Sequence, residues 1–192
     1  MLKTALFSTF ILLGTTLFVG CSSSETKSQD TNNAKANEIL ATNEIVLTDT
    51  QQNQYILKKT AQAYELKNDP KKLLILDIFA TWCPPCRAEA PHLSSLAKKY
   101  KNDIIVLGVT IENGIENEKL DIFKKNYHAN YPIVNSTENE KLIEDVASKL
   151  HLGRDFGIPL LVLVKDGKII HHFQGAVEEE FIESEIKKAL GK

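Results

Sequence analysis

Two cysteines separated by two residues, Cys83 and Cys86, are the residues of this chain best suited to chemistry. Cysteines at this spacing can close a small disulfide ring across the first turn of a helix, and such a ring can exchange electrons with other thiols. Trp82 precedes the pair, and Pro84 and Pro85 lie between its members. Prolines are tolerated in a first helical turn and stiffen the ring, because they lack an N–H donor and have a restricted φ. The motif therefore predicts a redox-active disulfide.

The position of the motif predicts a different role for each sulfur. Cys83 falls at the start of a predicted helix, where unpaired backbone N–H groups and the helix dipole favour the thiolate near neutral pH. Cys86 lies one turn later, on the apolar face that also carries Ala90 and Leu93, and we expect it to be shielded from solvent. We therefore predict that Cys83 is the nucleophile and that Cys86 attacks the resulting mixed disulfide.

The alternatives to a redox-active pair are a structural zinc site and a purely structural disulfide. A structural zinc site usually adds a second pair of Cys or His ligands at short spacing. The third cysteine is the distant Cys21, and no two of the five histidines have such a spacing, so we predict no metal site. A purely structural disulfide is compatible with an exported protein, although so small a ring constrains the unfolded chain little.

The segments around the motif alternate between strand and helix patterns. Residues 73–79 form a nearly continuous apolar run, which is typical of a central strand buried on both faces. Apolar residues spaced by three and four predict a helix over residues 84–100. Further strands are predicted near 45–47, 55–57, 104–109, 131–134, 160–164 and 169–173, and further helices near 118–126, 142–150 and 181–190. This order predicts an α/β fold with a central mixed β-sheet flanked by helices.

Asp77 is unusual because it interrupts the apolar run of the predicted central strand. A carboxylate buried there must be paired or have its pKa raised by desolvation. The alternative is a position at the surface of the sheet, beside Lys71 or Lys72. On the following helix, we expect Arg87 and Glu89 to lie on a solvated face.

Length and charge limit the possible classes of function. The chain has 192 residues, of which 43% are apolar and 25% are charged, as in an ordinary globular domain with some additional segments. Its formal net charge is −2, which provides no field that would attract a polyanion, so nucleic acid is not a predicted partner. Three cysteines are too few for a disulfide-stabilised scaffold.

The N-terminus has the pattern of an export signal. Residues 1–20 open with Lys3 and continue with an uncharged, largely apolar stretch that is shorter than the roughly 20 residues of a permanent membrane span. A small residue followed by Cys21 resembles the lipobox of bacterial lipoproteins, which implies a lipid on Cys21. An uncleaved anchor or a free thiol at Cys21 are the alternatives. Residues 21–38 predict a flexible linker, so the domain itself covers residues 39–192.

The chain resembles the thioredoxin superfamily, and within it the membrane-tethered TlpA/ResA-like thiol-disulfide oxidoreductases. The resemblance covers about residues 70–190. It is carried by the run from Asp77 through the cysteine motif to Glu89, by Pro91, and by the short segments 157–159, 166–167 and 175–176. It implies a thioredoxin fold with an N-terminal extension and a central helix-strand insertion between Gly108 and Pro159.

The resemblance also implies roles for individual residues. Pro159 would be cis, with a trans proline as the alternative, and the backbone of Ile158 would face Cys83 and pair with an extended substrate segment. Trp82, Pro84 and Pro85 would complete the substrate-binding surface. Asp77 would be the general base that deprotonates Cys86. Thioredoxins usually place a lysine near that aspartate, whereas the sequence aligns Gly108 there.

The function implied by the resemblance is an exported, lipid-anchored oxidoreductase that exchanges its Cys83–Cys86 disulfide with other proteins. The expected substrates are cysteine-containing exported proteins, such as apocytochrome c, and the domain would face the periplasm or the cell exterior. We expect it to act as a reductant supplied by a membrane electron donor, with no cofactor other than its disulfide. The alternatives are an oxidant or isomerase of exported proteins and a copper-binding assembly factor of thioredoxin fold.

Overall fold

The structure is a computed structural model that describes residues 43–153 and 155–192. The predicted signal peptide, Cys21 and the linker lie outside these residues. Within them the elements follow in the order β1 (Glu44–Thr48), β2 (Gln54–Lys59), β3 (Tyr64–Leu66), β4 (Leu73–Phe79), α1 (Pro84–Lys99), β5 (Ile104–Thr110), α2 (Asn117–Asn126), β6 (Ile133–Val134), α3 (Asn139–Lys149), β7 (Leu160–Lys165), β8 (Lys168–Gln174) and α4 (Glu179–Leu190). None of the helices in these two ranges is long and apolar enough to cross a bilayer.

The predicted mixed sheet is confirmed. Five strands lie in the order β6-β5-β4-β7-β8. Strand β4 pairs parallel with β5 and antiparallel with β7, and the β5–β6 pair is parallel while the β7–β8 pair is antiparallel. Every residue of β4 is buried. A strand in this central position has a layer of structure on each face, which explains why its sequence is a continuous apolar run rather than an alternating one.

Alternate side chains of β4 enter two different cores, because successive residues of a strand point to opposite faces. Leu73, Ile75 and Phe79 belong to a core that also contains side chains of α1, α2 and α4. Leu74, Leu76 and Ile78 belong to a second core, shared with α3 and with the N-terminal strands. Asp77 lies on the same face of β4 as Leu73, Ile75 and Phe79. Its side chain is therefore directed toward the layer of helix α1, which carries the cysteine motif.

The N-terminal extension is more regular than the sequence indicates. The predicted strands near 45–47 and 55–57 form the antiparallel pair β1–β2, and a third strand, β3, completes a separate three-stranded sheet. This sheet covers the second core, where Ile45, Leu47 and Leu57 are fully buried. Strand β1 of this sheet also contacts the central sheet. The backbone N–H of Asn135, the residue after β6, donates a hydrogen bond to the carbonyl oxygen of Thr48 at 2.8 Å.

The predicted helix-strand insertion is present between β5 and α3. It consists of α2 and β6, but β6 contains only Ile133 and Val134. The predicted strand over 131–134 therefore starts two residues too early, and Tyr131 precedes the strand as part of the connection from α2. Farther along the chain, the Asp-Gly turn between β7 and β8 is confirmed, with a positive φ of 49° at Asp166 and 72° at Gly167.

Candidate active site

The two cysteines form a disulfide at the N-terminus of α1. Cys83 is the N-cap residue and has extended backbone angles, and its Cα lies 5.3 Å from that of Cys86. Pro84 and Pro85 occupy the first two helical positions and have no N–H to donate. The first backbone donor of the helix is consequently that of Cys86, which lies 3.3 Å from the Sγ of Cys83. This geometry can stabilise a thiolate on Cys83 when the pair is reduced.

Both cysteines are buried in the disulfide form, with 2% of Cys83 and 4% of Cys86 exposed. The expectation that Cys86 is the more shielded of the two is therefore not met in this state. Cys83 is covered because the loop before β7 lies against it: the carbonyl oxygen of Ile158 is 3.8 Å from the Sγ of Cys83. The exposed parts of the motif are Pro84, Pro85 and Trp82, of which Trp82 is 59% exposed.

The peptide bond between Ile158 and Pro159 is cis, as the resemblance to thioredoxins implies. The carbonyl oxygen of Pro159 accepts a hydrogen bond from the N–H of Gly175 at 2.8 Å, which ties the start of β7 to the end of β8. The carbonyl of Ile158 is directed instead toward the disulfide. A backbone edge thus lies beside the reactive sulfur, where an added strand could pair.

Asp77 is buried below the surface of the sheet, with 3% of the residue exposed. The alternative position beside Lys71 or Lys72 at the surface is therefore excluded. The hydroxyl of Tyr131 donates a hydrogen bond to Oδ2 of Asp77 over 2.8 Å. Burial raises the pKa of the Asp77 carboxyl to about 7, and the bond from Tyr131 opposes this rise.

Glu89 is a second buried carboxyl group, and the prediction that it lies on a solvated face is wrong. Only 1% of Glu89 is exposed, and its Oε1 accepts a hydrogen bond from the N–H of Val177 at 3.2 Å. Its Oε2 has no partner among the described residues. Burial raises the pKa of Glu89 to about 8, and the negative charge of Asp77 adds to the rise. The helical spacing could have predicted the burial of Glu89, because this residue follows Cys86 by three positions and so lies on the apolar face of α1.

The turn that leads into the motif is held by Glu112, a residue that the sequence did not single out. The carboxylate of Glu112 accepts hydrogen bonds from the backbone N–H of Thr81 at 2.6 Å and from its hydroxyl at 2.9 Å. The Nε of Arg87 donates to the carbonyl of the same threonine at 2.7 Å, and its guanidinium lies over the ring of Tyr127. Arg87 therefore orders the turn rather than projecting freely into solvent.

A groove lies next to the active-site loop and is lined in part by Ile158. Its volume is about 610 Å³, within the range of cavities that bind small ligands or side chains. It lies between the loop that ends at Ile158 and helix α3, and its apolar lining consists mainly of Ile111, Ile143, Leu152, Phe156 and Ile158. Glu140 and Glu144 also line it. In the described part of the chain, no three His, Cys, Asp or Glu side chains are grouped so that they could hold a metal ion.

Comparison with known proteins identifies relatives of this chain. The model of the Redoxin family matches residues 47–190. The thiol-disulfide oxidoreductase ResA of Bacillus thuringiensis subsp. konkukian is 31% identical over 128 residues, which are 65% of this chain and 67% of ResA. Thioredoxin H5 of Arabidopsis thaliana is 28% identical over 120 residues, which are 62% of this chain and 74% of the relative.

Solved structures show the same fold. A thiol:disulfide interchange protein of the thioredoxin family from Chlorobium tepidum superposes with a TM-score of 0.61 at 20% identity, over 77% of this chain and 93% of that structure. StoA from Bacillus subtilis superposes with a TM-score of 0.53 at 19% identity, over 73% of this chain and 94% of StoA. The predicted thioredoxin fold is thereby confirmed.

Proposed function

Because this chain belongs to the Redoxin family and is a thiol-disulfide oxidoreductase of the thioredoxin superfamily, we propose that it exchanges its Cys83–Cys86 disulfide with exported proteins while tethered to a membrane. The observation that carries the proposal is the disulfide at the start of α1, which faces the carbonyl of Ile158 across 3.8 Å. A substrate chain that pairs with this backbone would bring its own cysteine next to Cys83.

The exchange conserves sulfur–sulfur bonds and transfers two electrons in total. The thiolate of Cys83 attacks a substrate disulfide, forms a mixed disulfide and releases the other substrate sulfur as a thiolate, which takes up a proton. The thiolate of Cys86 then attacks the Sγ of Cys83. This second step releases the remaining substrate sulfur and closes the Cys83–Cys86 disulfide, so the protein is oxidised and the substrate is reduced.

The second step needs a base, since Cys86 lies on the buried face of α1 and must lose its proton there. We assign this role to Asp77, whose side chain is directed toward the layer of α1. A base is most effective when its pKa is near the working pH, and burial raises the pKa of Asp77 to about 7. Glu89, one turn beyond Cys86, would be the nearest second carboxyl group able to exchange a proton with this interior.

The groove beside Ile158 supports a polypeptide as the substrate. It begins at the residue whose carbonyl faces Cys83, so a chain paired there would carry its neighbouring side chains into the groove. A predominantly apolar lining would bind a large apolar side chain close to the substrate cysteine. The exposed Trp82, Pro84 and Pro85 would contact the same substrate segment beside the disulfide.

We further propose that the protein acts as a reductant in cytochrome c maturation or a similar pathway, with apocytochrome c as one candidate substrate. Support comes from the similarity to ResA and from the signal-like N-terminus ending at Cys21. The exported compartment is oxidising, so a reductant working there needs a membrane electron donor to regenerate its dithiol. A lipid on Cys21 would keep the domain near that donor.

The reduction potential of the Cys83–Cys86 couple tests the direction of electron flow. Equilibration of the full chain with a dithiothreitol or glutathione series should give a value near the roughly −270 mV of thioredoxin if the protein is a reductant. A value near about −120 mV would instead identify an oxidant. For the tether, the full chain expressed with a labelled fatty acid should carry the label while a Cys21→Ser variant should not, and an unlabelled wild-type chain would contradict a lipid anchor.

A further inference from the structure

We propose that Tyr131 is a positioning residue for thiol exchange: its hydroxyl fixes Oδ2 of Asp77 as a hydrogen-bond acceptor and leaves Oδ1 to take the proton of Cys86. The inference rests on the proposed function, because it concerns a residue that acts through the base assigned there. It adds a role for the central insertion, which delivers Tyr131 to the motif although the two are far apart in sequence.

The contact between Tyr131 and Asp77 is direct and buried. Both residues are buried, with 3% of each exposed, and the hydroxyl lies 2.8 Å from Oδ2. Among the described residues no other group donates a hydrogen bond to this carboxylate. The pKa of the tyrosine itself is raised well above its usual value by burial and by the charge of Asp77. Tyr131 therefore keeps its proton and acts as a fixed donor rather than as a proton carrier.

The tyrosine ring packs closely against Gly108, a residue that has no side chain. Gly108 lies directly opposite Asp77 in the β4–β5 register. A Cβ at Gly108 would lie 3.1 Å from Cε2 of Tyr131, closer than an ordinary side-chain contact. The backbone N–H of Gly108 also donates to the carbonyl of Pro132 at 2.9 Å, which secures the segment just after the tyrosine. Gly108 therefore contacts the ring of Tyr131 and also binds the backbone next to it.

Few other polar groups share this interior with Asp77. Its register neighbours on β5 and β7 are Gly108 and Leu161, and the residues that α4 contributes to this core are apolar. Helix α1 contributes Glu89 and Cys86, and its N-cap contributes Cys83. The bond from Tyr131 is the contact that favours the ionised form of Asp77, since it lowers the pKa that burial raises. Without the hydroxyl, less of Asp77 would be ionised at any given pH.

The test follows the two steps of exchange separately as a function of pH. The full chain carrying Tyr131→Phe is reduced and mixed with a disulfide-bonded peptide, and mixed-disulfide formation and peptide release are timed by rapid quench. Formation should be unchanged, because Cys83 carries it out. A plot of the release rate against pH should have its midpoint about one pH unit higher than in the wild type. Because less of Asp77 is then ionised at pH 6, release at that pH should be roughly tenfold slower.

Tyr100→Phe is the matched control. Tyr100 also donates to a carboxylate, that of Glu183, at 2.6 Å, but it lies at the opposite end of α1 from the cysteines. Its removal should leave both steps unchanged. Asp77→Asn combined with Tyr131→Phe should behave as Asp77→Asn alone, since no carboxylate remains to be positioned. A variant with 3-fluorotyrosine at position 131 keeps the ring and makes the hydroxyl a stronger donor, so its release midpoint should shift downward.

Three results would contradict these proposals in distinguishable ways. Release with an unshifted midpoint in folded Tyr131→Phe would overturn the role of Tyr131 and leave the function intact. If Tyr131→Phe does not fold, an unshifted midpoint in the fluorotyrosine protein would overturn the role of Tyr131 in the same way. A wild-type protein that forms no mixed disulfide at all would instead overturn the proposed function, and the inference with it.

Discussion

The backbone N–H of Cys86 lies 3.3 Å from the Sγ of Cys83 and is the first hydrogen-bond donor of helix α1. The prolines at the two preceding helical positions cannot donate, so Cys83 is the sulfur that the end of this helix favours as an anion. The two cysteines of the motif are therefore not equivalent, although they share one disulfide.

This inequality predicts different behaviour for the two cysteine variants. Cys83→Ala should abolish exchange, because no thiolate remains at the helix terminus. Cys86→Ala should still form a mixed disulfide with a substrate and then fail to release it. Non-reducing electrophoresis and mass spectrometry after incubation with a disulfide-bonded protein measure the trapped species. Equal inactivity of both variants, without trapping, would contradict the assigned order of attack.

Asp77→Asn should slow release of the substrate more than formation of the mixed disulfide. The amide keeps the shape of the carboxyl group but cannot accept the proton of Cys86. General bases typically contribute about 10²-fold or more to a proton-transfer step, and a loss of about that size is expected in release. Rapid-quench kinetics on reduced protein separate the two steps. If release proceeds at the wild-type rate, Asp77 is not the base.

The same buried acids predict how stability depends on pH. Folding raises the pKa of Asp77 from 3.8 to about 7 and that of Glu89 from 4.5 to about 8. The native state therefore binds more protons than the unfolded state between about pH 4 and 8, and the free energy of unfolding should fall as pH rises through this window. Asp77→Asn should reduce this loss of stability with rising pH. We expect the variant to be more stable than the wild type by about 1–4 kcal/mol at pH 8 and little changed at pH 4.

Urea unfolding at several pH values measures this effect. Asp121→Asn is a suitable control, since Asp121 is exposed on α2 and should give the wild-type pH dependence. An Asp77→Asn protein with the same stability profile as the wild type would show that burial does not disfavour the charge at this position.

The groove beside Ile158 predicts selectivity among peptide substrates. Ile143→Ala removes apolar surface from its lining and should weaken binding of peptides with a large apolar residue next to the cysteine by about 1 kcal/mol, or roughly fivefold in KM. The kcat and the rate with a small-molecule disulfide should not change, because neither depends on the groove. Ile122→Ala is the control, as Ile122 is exposed on α2 and lies outside the groove. Equal effects of both variants would exclude the groove as a binding site.

Local sequence patterns determined the central parts of the fold and of the site. The apolar run of β4, the periodicity of α1 and the Asp-Gly turn specify elements that depend only on residues close in the chain. The spacing of Cys83 and Cys86 is equally local, since it spans less than one helical turn. The resemblance to thioredoxins also indicated that Gly108 lies beside Asp77, and the register of β4 and β5 confirms it.

Only the tertiary structure decided which side chains surround the disulfide. Tyr131 reaches Asp77 across 54 residues, Glu112 holds Thr81 across 31, and the carbonyl of Ile158 meets Cys83 across 75. Glu89 follows a helical spacing that sequence can reveal, yet its burial depends on the later segment that contains Val177. Such contacts are set by how sheet and helices pack. The residues next to a side chain in the sequence do not specify which distant residue will contact it in the folded protein.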